Sequence, residues 1–169
     1  MPLDRFSAAW RENYVANVAQ SHADDGTDCV FCVLANEPVS EESGVVAKTD
    51  LTFVVLNAFP YGSGHMLILP RRHVATLQEL TDEEYADLFA LVRDTVRALE
   101  KAYGPDGMNV GMNLGHAAGA GIPKHLHTHV LPRWNGDTNF MTTIGETRVL
   151  PESLESTWQK VHAVIEIDE

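Results

Sequence analysis

The chain has 169 residues, of which 44% are hydrophobic and 21% charged, a balance typical of one globular domain with its own core. It contains no apolar run of the roughly 18 residues that a membrane span needs, and its start lacks the apolar segment of a secretory signal, so we expect a cytoplasmic protein. The net charge of −12 argues against binding to nucleic acid, although it does not exclude a small phosphorylated ligand.

The first half of the chain predicts two short helices and three strands. Apolar residues at steps of four predict an N-terminal helix over residues 6–18, and residues 30–35 fit one further helical turn. Residues 45–47 and 51–56 are β-like and flank a polar turn, which predicts a hairpin. Residues 65–70 form the next strand, and Pro70 ends it.

The second half contains the strongest helix signal. Thr81 with Glu84 forms a capping box, an apolar stripe continues to residue 103, and Gly104 stands where a glycine cap belongs. Strands are predicted over residues 108–114 and 140–144, and a closing helix over residues 151–165. Strands and helices do not alternate, so we predict one α+β domain over residues 1–169, with an antiparallel sheet and a motif core over residues 29–140.

The two cysteines, Cys29 and Cys32, are separated by two residues. A disulfide framework is improbable in a cytosolic chain, which leaves half of a zinc site, a redox pair or two buried thiols. A thioredoxin-like redox pair would open a helix after a strand, whereas this pair follows a polar run near the N-terminus. That position argues against the redox interpretation.

Three histidines alternate with other residues immediately after a glycine-rich loop over residues 115–121. Alternate side chains of a strand share one face, so we expect His125, His127 and His129 side by side on a strand that Pro132 ends. Such a row suits a three-histidine catalytic metal site, nucleophilic attack on phosphorus, or a merely polar strand face. The neighbouring glycine loop, where a backbone can approach a ligand, argues against the last of these.

The sequence around the histidines resembles the histidine triad (HIT) family. The resemblance covers roughly residues 29–134, and the run over residues 132–140 resembles the branch that processes diadenosine polyphosphates. It implies a HIT-like antiparallel sheet with one long helix, and a homodimer whose sheets join edge to edge. Its motifs are the His-x-His-x-His triad, Gly64 to Pro70, the pair Cys29 and Cys32, Pro70 to His73, and Asn113 to Gly115.

This resemblance implies three catalytic histidines. His127 would attack the α-phosphorus of a nucleotide and form a nucleotidyl-histidine intermediate, while His129 donates to a non-bridging phosphate oxygen as charge builds up. His65 matches a position close to the nucleophile, although it could simply cap its strand.

The resemblance also implies a set of nucleotide contacts. Asn57 would hydrogen-bond the ribose, or else serve as a turn residue. Phe53 or Leu56 would wall the base, although apolar strand residues are commonly plain core. Asn113 and Lys124 would lie on the phosphate side; alternatively, Asn113 ends its strand and Lys124 is solvated.

In zinc-containing relatives the first triad histidine ligates a structural zinc ion together with the cysteine pair. All four positions of that set are filled here, by Cys29, Cys32, His73 and His125. Two thiolates and two imidazoles complete a closed tetrahedral site, which stabilises the fold and takes no part in chemistry. The alternative is that His125 only orients His127. No organic cofactor is implied.

One position departs from the family pattern. Many relatives have a glutamine four residues before the first triad histidine, and this chain has Gly121. Room and bare N–H groups there favour inorganic phosphate as the acceptor, and hence phosphorolysis of diadenosine tetraphosphate over hydrolysis. Hydrolysis of the same substrate, hydrolysis of nucleoside phosphoramidates, and nucleotide binding by an adaptor without turnover stay open as alternatives.

Overall fold

A computed structural model describes residues 29–139, 141, 144 and 150–167. The predicted N-terminal helix over residues 6–18, and most of the strand predicted over residues 140–144, lie outside the described residues. Within the described part the elements are α1 (Val30–Asn36), β1 (Val45–Lys48), β2 (Thr52–Leu56), β3 (Met66–Pro70), α2 (Asp82–Tyr103), β4 (Gly107–Met112), β5 (Thr128–Arg133) and α3 (Leu154–His162).

The five strands form one sheet in the order β1-β2-β3-β5-β4, and each neighbouring pair is antiparallel. The predicted α+β class with an antiparallel sheet is confirmed. β5 lies between β3 and β4, so residues of the histidine motif pair on both sides. His129 is opposite Leu67 on β3 and opposite Gly111 on β4.

Helix α2 begins and ends where the sequence predicts. The Thr81 hydroxyl accepts from the Glu84 backbone N–H at 3.2 Å, and the Glu84 carboxylate accepts from the Thr81 N–H at 2.8 Å. Arg72 donates to both oxygens of the same carboxylate, at 2.7 and 2.6 Å, which ties the helix start to the end of β3. Gly104 ends the helix with φ 54°, a left-handed conformation that glycine adopts without strain.

The two faces of the sheet carry two different core clusters. Alternate residues of β2 point to opposite faces, so Val54 and Leu56 pack in the cluster of helix α2, while Phe53 and Val55 pack in the cluster of α1. Helix α2 and the C-terminal helix therefore cover one face, and the short cysteine-bearing helix covers part of the other. The second face carries the chemistry described below.

Helix α3 covers the β1 edge of the sheet. The indole N–H of Trp158 donates to the backbone oxygen of Val45 at 2.9 Å, and Nδ1 of His162 lies 3.0 Å from the backbone oxygen of Val46. The predicted C-terminal helix is thus present, although it is shorter than residues 151–165. Among the described residues, no helix combines the length and the apolar character that a membrane crossing requires.

Candidate active site and metal centre

The three histidines of the motif do not share one strand, and that part of our prediction is wrong. β5 starts at Thr128, so His129 lies in the strand while His125 and His127 precede it. The segment before β5 bonds instead to the chain that follows β3, where the Leu126 N–H donates to the Val74 oxygen at 2.6 Å. Pro132, which we expected to end the strand, lies inside β5 opposite Met108.

Four donor atoms from Cys29, Cys32, His73 and His125 lie within 4.8 Å of one another. Nδ1 of His73 is 3.2 Å from the Cys32 sulfur, and Nδ1 of His125 is 3.5 and 3.6 Å from the two sulfurs. Ligands of a tetrahedral zinc ion are separated by about 3.3–3.8 Å, given the usual Zn–N and Zn–S bond lengths. The donor set therefore fits a closed Cys₂His₂ metal centre.

The hydrogen bonds of His125 prepare it as a ligand. Its Nε2–H donates to the Pro70 backbone oxygen at 2.9 Å, so Nδ1 keeps its lone pair and faces the sulfurs. Burial lowers the pKa of this fully buried imidazole to about 4, and it stays neutral. Burial, together with Cys29, raises the pKa of the Cys32 thiol to about 12, so the charge of a cation is what would favour the thiolate.

His127 has the opposite arrangement of ring nitrogens. Its Nδ1 is 2.8 Å from the backbone oxygen of His125 and donates to it, which leaves the lone pair on Nε2. Burial lowers the pKa of His127, so the imidazole is neutral at pH 7. The ring lies between Phe31 and His129, with centroid separations of 5.4 and 5.1 Å. A neutral imidazole with a lone pair on Nε2 is a competent nucleophile.

A short chain of hydrogen bonds fixes the tautomer of His129. The backbone N–H of Tyr61 donates to Nδ1 of His65 at 3.0 Å, so the His65 proton is on Nε2, which donates to Nδ1 of His129 at 2.9 Å. The proton of His129 is then on Nε2, a buried atom with no hydrogen-bond partner among the described residues. Burial, with His127 nearby, lowers the pKa of His129 to about 4. His129 is therefore a neutral donor whose N–H awaits an acceptor.

Asn57 supports this chain. Its Nδ2 lies 3.2 Å from Nδ1 of His65, and its Oδ1 accepts from the Phe59 N–H at 2.9 Å, which fixes the orientation of the amide. The buried side chain is thus a hydrogen-bond partner of His65 as well as a candidate for the ribose. No side-chain pattern indicates the role of Tyr61, because its contribution to His65 comes from the backbone.

The two residues predicted to wall a base lie on opposite faces of the sheet. Phe53 packs with Phe31 in the cluster on the histidine side. Leu56 packs in the cluster of helix α2, and this placement does not support a contact between Leu56 and a base. Phe53 is fully buried. Phe31, which is absent from our predicted site and also buried, contacts both His125 and His127.

A cavity of about 530 Å³ opens beside His129. Its floor is formed by β4 and β5, and residues 61–63 form one wall. Asn113, predicted on the phosphate side, lines the cavity, whereas Gly121 and Lys124 lie outside it and are exposed. The cavity joins His65 and His129 to polar residues that follow the motif, above all Arg133 and Asp137.

Comparison with known proteins agrees with this geometry. The family model of the HIT domain matches residues 39–136. The chain is 40% identical over 157 residues to the AP-4-A phosphorylase of Mycobacterium tuberculosis (strain CDC 1551 / Oshkosh), covering 92% of this chain and 80% of that protein. It is 28% identical over 137 residues to the adenosine 5'-monophosphoramidase hnt1 of Schizosaccharomyces pombe, covering 81% of this chain and 98% of that protein. The crystal structure of a Zn-bound histidine triad family protein from Mycobacterium smegmatis aligns with a TM-score of 0.65 and 28% identity, covering 81% of this chain and 92% of that one.

Proposed function

Because this chain belongs to the histidine triad (HIT) family, we propose that it is a nucleotidyl transferase that cleaves diadenosine tetraphosphate with inorganic phosphate as acceptor. The observation that carries the proposal is the pair of opposite tautomers at His127 and His129. One presents a lone pair and the other an N–H donor, and their ring centroids are 5.1 Å apart. A relative named for phosphorolysis of the same dinucleotide, at 40% identity, supports the choice of substrate.

In the first step Nε2 of His127 attacks the α-phosphorus. The phosphorus–nitrogen bond forms as the bond to the bridging oxygen breaks, and ATP leaves with the electron pair of that bond. His129 donates its Nε2–H to a non-bridging oxygen of the phosphoryl group, where negative charge builds up. The hydrogen bond from His65 already holds His129 in the tautomer that this donation requires.

In the second step an oxygen of inorganic phosphate attacks the adenylated His127, the phosphorus–nitrogen bond breaks, and ADP is released. The glycine-rich loop supports phosphate as this acceptor. Gly115 and Gly119 have φ values of 81° and 92°, which only glycine adopts easily, and a side chain at Gly121 would meet nothing within 4 Å. The N–H groups of Ala118, Gly119 and Ala120 donate within the loop, so it offers an anion room and the N–H groups of its other residues.

We propose a structural zinc ion held by Cys29, Cys32, His73 and His125. The ion would supply stability by fixing helix α1 against the sheet, and its four protein ligands leave no position for substrate. Both cysteines are free thiols, and we expect the protein to act in the cytoplasm, where thiols stay reduced. We also propose a homodimer joined at β4, because helix α3 covers the β1 edge while Val110 of β4 is 49% exposed.

Product analysis with and without phosphate tests this proposal. We expect ATP plus ADP from diadenosine tetraphosphate, with ADP appearing only when phosphate is present. AMP plus ATP in both buffers would replace phosphorolysis by hydrolysis. Cleavage of adenosine 5′-phosphoramidate alone would favour the activity of the yeast relative, which is 28% identical. Nucleotide binding without any turnover would leave an adaptor.

A further inference from the structure

We infer that the cavity beside His129 binds the nucleoside of the leaving nucleotide, so that the enzyme selects substrates with a nucleoside at both ends. The inference deepens the proposed function and rests on it. Its volume of about 530 Å³ falls within the roughly 300–1,000 Å³ of small-molecule sites. Three features favour a nucleoside as the occupant: the charge of the cavity, its polar groups and its position relative to the nucleophile.

The charges that line the cavity do not suit a polyphosphate. Arg133 donates from Nε and Nη2 to the two carboxylate oxygens of Asp137, at 2.6 and 2.7 Å, and from Nη1 to the Asn109 oxygen at 2.7 Å. The guanidinium is thus neutralised and its three nitrogens are engaged. Since the pKa of His129 is also lowered, the described residues that line the cavity offer no uncompensated positive charge to a triphosphate. An uncharged nucleoside suits it better.

The uncharged lining groups suit a purine nucleoside. Tyr61 and Trp134 supply aromatic surface, and the amides of Asn109 and Asn113 offer donors and acceptors to base or sugar. Ser63 also lines the cavity, and its hydroxyl is buried with no hydrogen-bond partner among the residues described.

The cavity lies on the far side of His129 from the nucleophile. It begins at His129 and continues toward Arg133, and its described lining does not include His127. His127 instead contacts Phe31 of helix α1, which is where the attacked nucleotide would lie. A displacement at phosphorus is in line, so the leaving group departs away from the attacking nitrogen. That direction takes the second nucleoside past His129 into the cavity.

Gly111 provides a position from which a side chain would reduce the volume of the cavity. It lies opposite His129 in the register of β4 and β5 and lines the cavity, and a Cβ there would meet nothing within 4 Å. Gly107 is four residues earlier on the same face of the same strand, opposite Arg133, and its Cβ would also be unobstructed. It does not line the cavity, and Gly107→Val is therefore the matched control for Gly111→Val.

The experiment compares kcat/KM for diadenosine tetraphosphate and for adenosine 5′-tetraphosphate, which lacks only the second nucleoside. We expect the wild type to prefer the dinucleotide by about 10–100-fold, which is the discrimination that contacts with one substrate group commonly supply. Gly111→Val should abolish most of that preference, because a filled cavity lowers kcat/KM for the dinucleotide by a larger factor than for adenosine 5′-tetraphosphate. Gly107→Val should keep the preference.

Two results overturn the inference while leaving the proposed function intact. Equal wild-type turnover of the two substrates would show that the second nucleoside contributes nothing. An equal loss on both substrates in Gly111→Val, with Gly107→Val unaffected, would place the attacked nucleotide in the cavity. A wild type that does not cleave diadenosine tetraphosphate refutes the proposed function itself, and this measurement needs no variant.

Discussion

The two ends of the histidine row contain the same side chain in opposite roles. At one end His125 is fully buried, donates from Nε2 to a backbone oxygen and directs Nδ1 to two sulfurs. At the other end His129 receives a hydrogen bond on Nδ1, its Nε2 has no hydrogen-bond partner among the described residues, and its side chain lines a cavity. The residues are four apart in sequence, so the difference comes from the partners of each ring.

This contrast indicates that the partner of one ring nitrogen decides what the other can do. A carbonyl oxygen accepts a hydrogen bond from one ring N–H, so the lone pair is on the opposite nitrogen, for a metal at His125 or a phosphorus atom at His127. A donor has the reverse effect, and His65 leaves His129 with an N–H to give. If this holds, a substitution at one end of the row changes that end alone, and a response at the other end contradicts the contrast.

The largest effect is expected at the nucleophile. His127→Asn removes the nitrogen that bonds to phosphorus, so we expect kcat to fall by at least about 10³-fold and the nucleotidyl adduct to disappear. Acid-quenched samples with labelled diadenosine tetraphosphate measure both. His162→Asn, at a histidine near the β1 edge, is the control and should keep the adduct. An undiminished adduct in His127→Asn would remove this residue from its role.

Loss of a metal ligand should lower the stability of the protein and leave its catalytic rate nearly unchanged. Cys32→Ser removes one ligand of the Cys₂His₂ set, so we expect loss of zinc and a destabilisation of about 3 kcal/mol, or roughly 10 °C in Tm. Elemental analysis and thermal unfolding measure these. Below its new Tm, the variant should retain kcat within about threefold. Activity lost to a chelator while the fold persists would instead indicate a catalytic metal, and the two ends would no longer differ.

The sequence predicted the main helices and the antiparallel sheet better than it predicted the backbone around the histidines. Helix α2 is specified locally, by Thr81 and Glu84 at one end and Gly104 at the other, and it was predicted correctly. The metal set followed from a resemblance, because Cys29 and His125 are too distant in the chain for any local pattern. The prediction that one strand contains all three histidines was wrong. Before Thr128 the chain forms hydrogen bonds to residues 70–74 in place of regular strand pairing. The donation from Tyr61 to His65 is a backbone interaction, which side-chain patterns do not show.

The tautomer at the catalytic end can be inverted through Asn57. An aspartate there presents a carboxylate that accepts a hydrogen bond from Nδ1 of His65, so the ring proton moves from Nε2 to Nδ1 and Nε2 turns a lone pair toward His129. We expect Asn57→Asp to lower kcat by about 10²-fold, a typical contribution of a positioned proton donor. Nitrogen-15 NMR of the imidazoles should show His65 protonated on Nδ1.

Asn57→Ala is the matched control for that change. It removes the amide without adding charge, and the Tyr61 N–H still donates to Nδ1 of His65, so the tautomers of His65 and His129 should persist. We expect the alanine variant to lose less activity than the aspartate variant. An aspartate variant with wild-type NMR signals, or an alanine variant with the larger loss, would contradict the tautomer argument.

The smallest effect is expected at Lys48, which contacts the end of the cysteine-bearing helix α1. Its ammonium donates to the backbone oxygens of Ala35, at 2.8 Å, and of Glu37, where helix α1 ends. A positive charge at the negative end of the helix dipole stabilises helix α1, which carries Cys32. Lys48→Met should therefore destabilise the protein by about 1 kcal/mol and leave kcat unchanged. Lys101→Met is the control, since Lys101 pairs at 3.3 Å with the exposed Glu166, and such pairs contribute little. Urea unfolding of both variants measures the difference. A Lys48→Met variant that keeps its stability but loses kcat would mean that helix α1 positions the nucleophile through Phe31, and the two ends of the row would then be coupled.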